Sequence, residues 1–161
     1  MEATIAGSGA SAGRPRAVAD GPRFASAEEL REVLEALLDS VDSDERAGTL
    51  FRAAAPRLRL EFTDRHLILN LAPGEGKGQS LRWRFGDDVD WEPRLHLSMD
   101  STTANRYLQG AESLAIAIAQ GRVRFQGDSR TALLYVPTLR LLVDPYRRLL
   151  AERFPRLVVE R

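Results

Sequence analysis

The chain has 161 residues, 23 Lys+Arg against 23 Asp+Glu, and no cysteine. A chain of this length can bury roughly 70% of its unfolded surface in one core, so it needs no disulfide or metal staple, and thiol redox chemistry and thiolate metal sites are excluded. The balanced charge gives no overall pull toward nucleic acid or membrane, and no apolar run approaches the roughly 20 residues of a membrane-spanning helix.

Residues 1–23, MEATIAGSGASAGRPRAVADGPR, are small, polar and rich in Gly and Pro, without an apolar secretion segment. They are expected to form a disordered tail ahead of one domain over 24–161. Ser26 and Glu29 have capping-box spacing, and Leu30, Val33, Leu34, Leu37 and Leu38 then repeat with helical period. A second helix is predicted from Ser43, with Asp44 and Glu45 in its first turn, ending before Pro56. The pattern then changes to period two. Leu58, Leu60 and Phe62 alternate with Arg57, Arg59 and Glu61; Leu67, Leu69 and Leu71 follow, and then Leu81, Trp83 and Phe85. Leu95–Met99 and Val123–Phe125 complete five strands, each apolar on one side. One-sided alternation predicts an α+β fold: a single five-stranded, mainly antiparallel sheet with helices covering one face. The covering helices are expected over Thr102–Leu108, over Ser113–Gln120 and in the C-terminal third. There, Asp128 caps a helix that Pro137 should kink or end, and Asp144-Pro145 opens a last one running to about Phe154.

Three motifs that invite a chemical reading have a plainer one. The Gly74–Gly78 loop leads into a strand rather than a helix, so it is a hairpin loop and not a phosphate cradle. His66 and His96 fall on the polar phase of their strands with no third metal ligand or nucleophile in reach of a motif. Asp87-Asp88-Val89-Asp90 lacks the glycine and closing glutamate of a calcium loop and reads as a solvated turn. No acid, base and nucleophile set can be assembled, so the chain is read as a non-enzyme with no metal and no cofactor.

Two larger surfaces remain. The polar side of the strands gathers Arg57, Arg59, Arg82, Arg84, Arg94, Arg122 and Arg124. That basic face is a candidate contact for an anionic membrane, an acidic protein segment or a second copy of the chain. It lacks the interleaved aromatics of a nucleic-acid reader, so no nucleic acid is expected. The apolar side, with the helices above it, is core or a ligand cavity.

The segment Arg94–Leu142 resembles the sterol carrier protein-2 (SCP2-like) family. The likeness lies in the strand Leu95-His-Leu-Ser-Met-Asp100 running into a helix, the step Leu108-Gln-Gly110, and then Gly121-Arg-Val-Arg-Phe-Gln-Gly127-Asp128 opening a further helix. The resemblance implies an apolar tunnel between sheet and helices for a sterol, fatty acyl or isoprenoid-type lipid. Phe85, Leu114, Ile118, Phe125, Leu133, Leu134, Leu139 and Leu142 would line it. It implies carriage without catalysis in a bacterial, cytoplasmic protein. The alternative is an interaction, scaffold or accessory module, for example in isoprenoid quinone synthesis, working through the arginine face.

Overall fold

The computed structural model describes residues 21–54, 57–76 and 78–160. Most of the tail expected over 1–23 therefore lies outside the described residues. Two helices, α1 (Ala27–Ser43) and α2 (Glu45–Ala54), precede the strands β1 (Leu58–Phe62), β2 (Leu67–Pro73), β3 (Leu81–Phe85) and β4 (Leu95–Met99). Helices α3 (Ser101–Leu108) and α4 (Leu114–Ala119) come next. Strand β5 (Val123–Gly127), α5 (Ser129–Arg140), α6 (Val143–Arg153) and a 3-10 turn at Pro155–Leu157 complete the chain.

The strand order is β3-β2-β1-β4-β5. Three of the four pairings are antiparallel and the central one, β1 with β4, is parallel. The sheet is therefore mixed, mainly antiparallel. The register runs Phe85, Leu69, Leu60, Leu97 and Phe125 across all five strands in one row. Cross-strand partners share a face, so these apolar residues form one continuous surface, and α1, α3 and α5 lie against it.

The opposite surface carries the row Arg84, Asn70, Arg59, His96 and Gln126. It is not open. Because β3 and β4 run in the same direction on either side of β2 and β1, residues 86–94 must cross this face from one end of the sheet to the other. Asp87 pairs with Arg59 at 2.6 Å, the Gly86 carbonyl accepts from Asn70 Nδ2 at 2.7 Å, and Trp91 lies 4.8 Å under the Arg82 guanidinium. The crossing explains why Asn70, on the side expected to be solvated, is only 1% exposed.

Local chemistry sets most helix ends. Ser26 caps α1 by accepting from Glu29 N–H, while the Glu29 carboxylate reaches back to Ala25 N–H and across to Arg156. Asp44 closes α1 and starts α2, accepting from the N–H groups of Arg46 and Ala47. The second helix thus begins at Glu45 rather than Ser43, because Ser43 still belongs to α1. Two carboxylates serve the α3 start. Asp100 accepts from Thr103 N–H, and Asp64 accepts from the N–H and hydroxyl of Ser101, where the helix dipole favours negative charge.

In the C-terminal third, Pro137 does not end its helix, and the expected start of the last helix is corrected. Helix α5 passes through Pro137 and ends only at Arg140. The hydrogen bond that proline forfeits is to the carbonyl of Leu133, and both residues lie on the solvent side, where water can take the bond. Helix α6 starts at Val143 with no side-chain cap; Asp144 and Pro145 sit inside its first turn. Gly127 is fixed by close approach. Its φ is +134°, and a Cβ there would stand 2.5 Å from the Arg94 carbonyl oxygen. The Gly-Asp pair between β5 and α5 thus has separate duties: Gly127 passes β4, and Asp128 caps α5 through Arg130 N–H.

Candidate functional site

The apolar sheet face and the helices over it enclose a small cavity of about 40 Å³. Its sheet wall consists of Leu60, Phe62, Leu69, Leu71, Leu97 and Met99. Its roof is Leu34, Leu37 and Leu38 of α1, Ala104, Tyr107 and Leu108 of α3, and Leu114, Leu139 and Leu142. The surface they present to the cavity is wholly apolar. A lipid needs a pocket of several hundred Å³, whereas this void is on the scale of a few waters. The helices are closed over the sheet.

Of the residues expected to line a tunnel, Leu114, Leu139 and Leu142 border this cavity. Phe85 and Ile118 pack against the core at its margins. Phe85 lies on the edge strand beneath the Arg31 guanidinium, 4.7 Å away. Phe125 occupies the cavity row at the other edge strand and is 37% exposed. Leu133 and Leu134 do not face inward: they are 74% and 70% exposed. In α5 it is Tyr135, Thr138 and Leu139 that are buried, so the outward positions 130, 133, 134 and 137 form the opposite helical stripe. The apolar segment Leu114–Ala119 divides similarly, with Leu114 and Ala117 buried and Ile116 53% exposed. The sequence reading did not assign the α1 leucines or Tyr107 to the cavity. The leucine stripe was legible as a helix face, but nothing local shows which part of the sheet it meets.

Three of the seven arginines of the basic set are ion-paired. Arg59 binds Asp87, Arg82 binds Glu75 at 3.2 Å and stacks on Trp91, and Arg122 binds Glu112 at 2.6 Å. Arg57, Arg94 and Arg122 precede their strands rather than lying within them. Burial raises the Glu112 pKa, but the hydrogen bonds and charges of Arg122 and Arg106 outweigh it and hold the carboxyl below its ordinary value. His66 is not a strand residue; it sits in the β1–β2 turn at φ 51°. His96 stands 3.3 Å from Glu61 across the β1–β4 pair. Among the described residues no group of three His, Asp or Glu could hold a metal ion, and no helix is long and apolar enough to cross a membrane.

Beside the cavity, α3, α6 and the C-terminal segment are joined by a buried polar network that periodicity does not reveal. Tyr146 donates to Asn105 Oδ1 at 2.7 Å, and Asn105 Nδ2 donates to the Leu157 carbonyl at 3.0 Å. Gln109 donates to both of those acceptors and accepts from Val159 N–H. Burial pushes the Tyr146 pKa up. Two larger hollows, of about 450 and 420 Å³, are open troughs on the outside of the helices. One is bordered by Arg147, Arg148 and Val158, the other by Glu28, Glu32 and Arg153.

No protein-family model matches the chain, and no curated protein does. Among solved structures it is similar to a ubiquinone synthesis protein, UbiJ-SCP2, at 15% identity over 74% of this chain and 96% of that one, with a TM-score of 0.51. It is similar to sterol carrier protein 2 at 18% identity, over 72% and 94% of the two chains, with a TM-score of 0.48. It also matches the sec-alkylsulfatase Pisa1 from Pseudomonas sp. at 20% identity and a TM-score of 0.43, over 55% of this chain but only 13% of the sulfatase. At these identities the likeness concerns fold alone. The fold is SCP2-like, and it covers most of the chain.

Proposed function

We propose that this SCP2-like fold is a non-enzymatic lipid-binding or lipid-carrier domain. It takes the apolar body of a fatty acyl, sterol or isoprenoid-type molecule between the sheet and the helices. One observation carries the reading: the void beneath the helices is lined by apolar surface alone. Such a surface can recognise an apolar body through the roughly 25 cal/mol per Å² gained on removing it from water, and it offers no constellation for covalent chemistry.

Loading requires the closed cavity to grow severalfold. Of the helices that roof the cavity, α5 is the one most readily displaced, because only three of its twelve residues are buried and Pro137 weakens its hydrogen-bond ladder. Leu133 and Leu134 would then become available to the ligand beside Leu139. An accessory role in isoprenoid quinone synthesis fits the same chemistry, since a prenyl tail is an apolar chain ending in a polar ring. The arginine face is not taken as the working surface, because Asp87, Glu75 and Glu112 already pair with three of its members.

Native mass spectrometry of the purified protein, together with its organic extract, tests the proposal. A co-purified lipid, or uptake of fatty acyl, sterol or quinone probes at one per chain, is expected. A clean mass with no uptake of any of them overturns it.

A further inference from the structure

We infer that the outward face of helix α5 is a docking surface for an anionic membrane. Leu133 and Leu134 sink into the bilayer interface, and Arg130 and Arg140 meet the lipid phosphates at either end. The surface goes beyond the lipid-binding reading and stands on observations separate from the cavity.

The buried side of α5 holds Tyr135, Thr138 and Leu139, and a surface helix ordinarily carries polar residues on the opposite side. Here that side presents Leu133 and Leu134, 74% and 70% exposed, with Pro137 exposed one turn on. Of the large apolar side chains exposed among the described residues, these two stand farthest into solvent. A single exposed leucine needs no explanation, but an adjacent pair with an apolar continuation marks a contact surface. With about 3.6 residues per turn, positions 130, 133, 134, 137 and 140 fall on one stripe. Arg130 and Arg140 close that stripe at its two ends, about 15 Å apart along the axis. The helix itself contains no carboxylate. Phe125, 37% exposed just ahead of α5, adds apolar surface on the helix-covered side of the sheet.

Charge decides what covers the stripe. The chain as a whole is neutral, yet here two leucines lie between two arginines with no acid on the helix. That pattern suits an anionic interface. Apolar side chains sink about 5–10 Å into the boundary between headgroups and acyl chains, and each nearby arginine adds attraction to anionic lipid. A second copy of the chain fits less well. Pairing α5 with its counterpart in either direction sets Arg130 and Arg140 against the same two arginines, and like charges across an interface oppose association. A peptide partner is gripped by a groove, whereas these leucines stand out from the convex surface of one helix, around which a fluid bilayer can close. Under the lipid-binding reading the contact also has a use: it draws α5 toward the bilayer and away from the cavity it roofs.

The chain has no cysteine, so Leu134→Cys places an environment-sensitive fluorophore on the stripe. Asp88→Cys places the same label on the segment that crosses the other side of the sheet. The full-length proteins are mixed with vesicles of phosphatidylcholine alone or of an equal mixture with phosphatidylglycerol. The label at residue 134 should shift to the blue with the anionic vesicles, and the label at residue 88 should not. In unlabelled protein, the Leu133→Gln/Leu134→Gln pair should weaken vesicle flotation at least about tenfold through the apolar area lost. Arg130→Gln/Arg140→Gln should weaken it about tenfold on the anionic vesicles alone. Both variants should keep the wild-type urea midpoint, because all four positions are exposed. No shift at residue 134, or flotation untouched by the leucine pair, overturns the inference. A shift at residue 134 that grows with protein concentration in the absence of vesicles assigns the stripe to a second copy and overturns it too. Uptake of a fatty acyl probe without any flotation overturns the docking surface alone. Flotation through residue 134 without uptake of any probe supports the docking surface and overturns the lipid-binding reading.

Discussion

Replacing Asn105 with alanine should destabilise the protein far more than removing any one of its hydrogen bonds suggests. The Asn105 side chain is the hub between α3, α6 and the C-terminal turn: Oδ1 accepts from Tyr146 at 2.7 Å and from Gln109 at 3.0 Å, while Nδ2 donates to the Leu157 carbonyl at 3.0 Å. In Asn105→Ala, Gln109 retains the Leu157 carbonyl, but the Tyr146 hydroxyl is orphaned on a fully buried residue. Stranding that group costs about 2 kcal/mol and the lost Asn105–Leu157 bond about 1 more. The expected loss is therefore about 3 kcal/mol, or about 10 °C in Tm for a domain of this size. Tyr146→Phe should cost only about 1 kcal/mol, because Asn105 Oδ1 is still occupied by Gln109. The double variant has no hydroxyl left to strand and should lose about 2 kcal/mol, well under the sum of the singles. Urea denaturation of the four proteins measures all three values. Strict additivity, or an Asn105→Ala loss below about 1 kcal/mol, would refute the claim that Asn105 is the hub of this buried network.

The two faces of α5 should respond oppositely. Leu133→Lys and Leu134→Lys should change stability by less than about 0.5 kcal/mol, whereas Leu139→Ala, on the cavity side, should cost about 3 kcal/mol, all read from urea midpoints. Gly127→Ala should lose about 3 kcal/mol or fail to fold, since φ +134° and the Arg94 carbonyl both oppose a Cβ. Gly121→Ala, at φ +76° with open space around it, should cost about 1 kcal/mol. Glu112→Gln should lose about 2 kcal/mol at neutral pH through the hydrogen bonds to Arg122 and Arg106. The wild-type carboxyl has a folded pKa below its unfolded value of about 4.3. Its stabilisation is thus fully present above that value and is lost as pH falls through the lower folded pKa. Wild type and variant should therefore converge in acid, and a gap that persists there would contradict the pairing.

The element pattern and the class of fold were determined by the sequence alone. Period-two runs such as Leu58–Phe62 and Leu95–Met99 can bury only one side, and the stripe from Leu30 to Leu38 can form only a helix that lies on something. The caps at Ser26 and Asp128 are local chemistry, and each holds in the structure. The Gly127-Asp128 step was visible as a motif; the close pass of β4 gives it a cause. What periodicity cannot carry is which surfaces meet. The arginine face looked like a platform because alternation records only the side a residue points to, not that residues 86–94 return across that side carrying Asp87 and Trp91. The resemblance put Leu133 and Leu134 in the cavity lining, but a helix rich in leucine has two apolar sides, and only its packing decides which is buried. The Asn105 hub was equally hidden: its bonds reach α6 and the C-terminal segment, and those partners are settled only when the helices pack together.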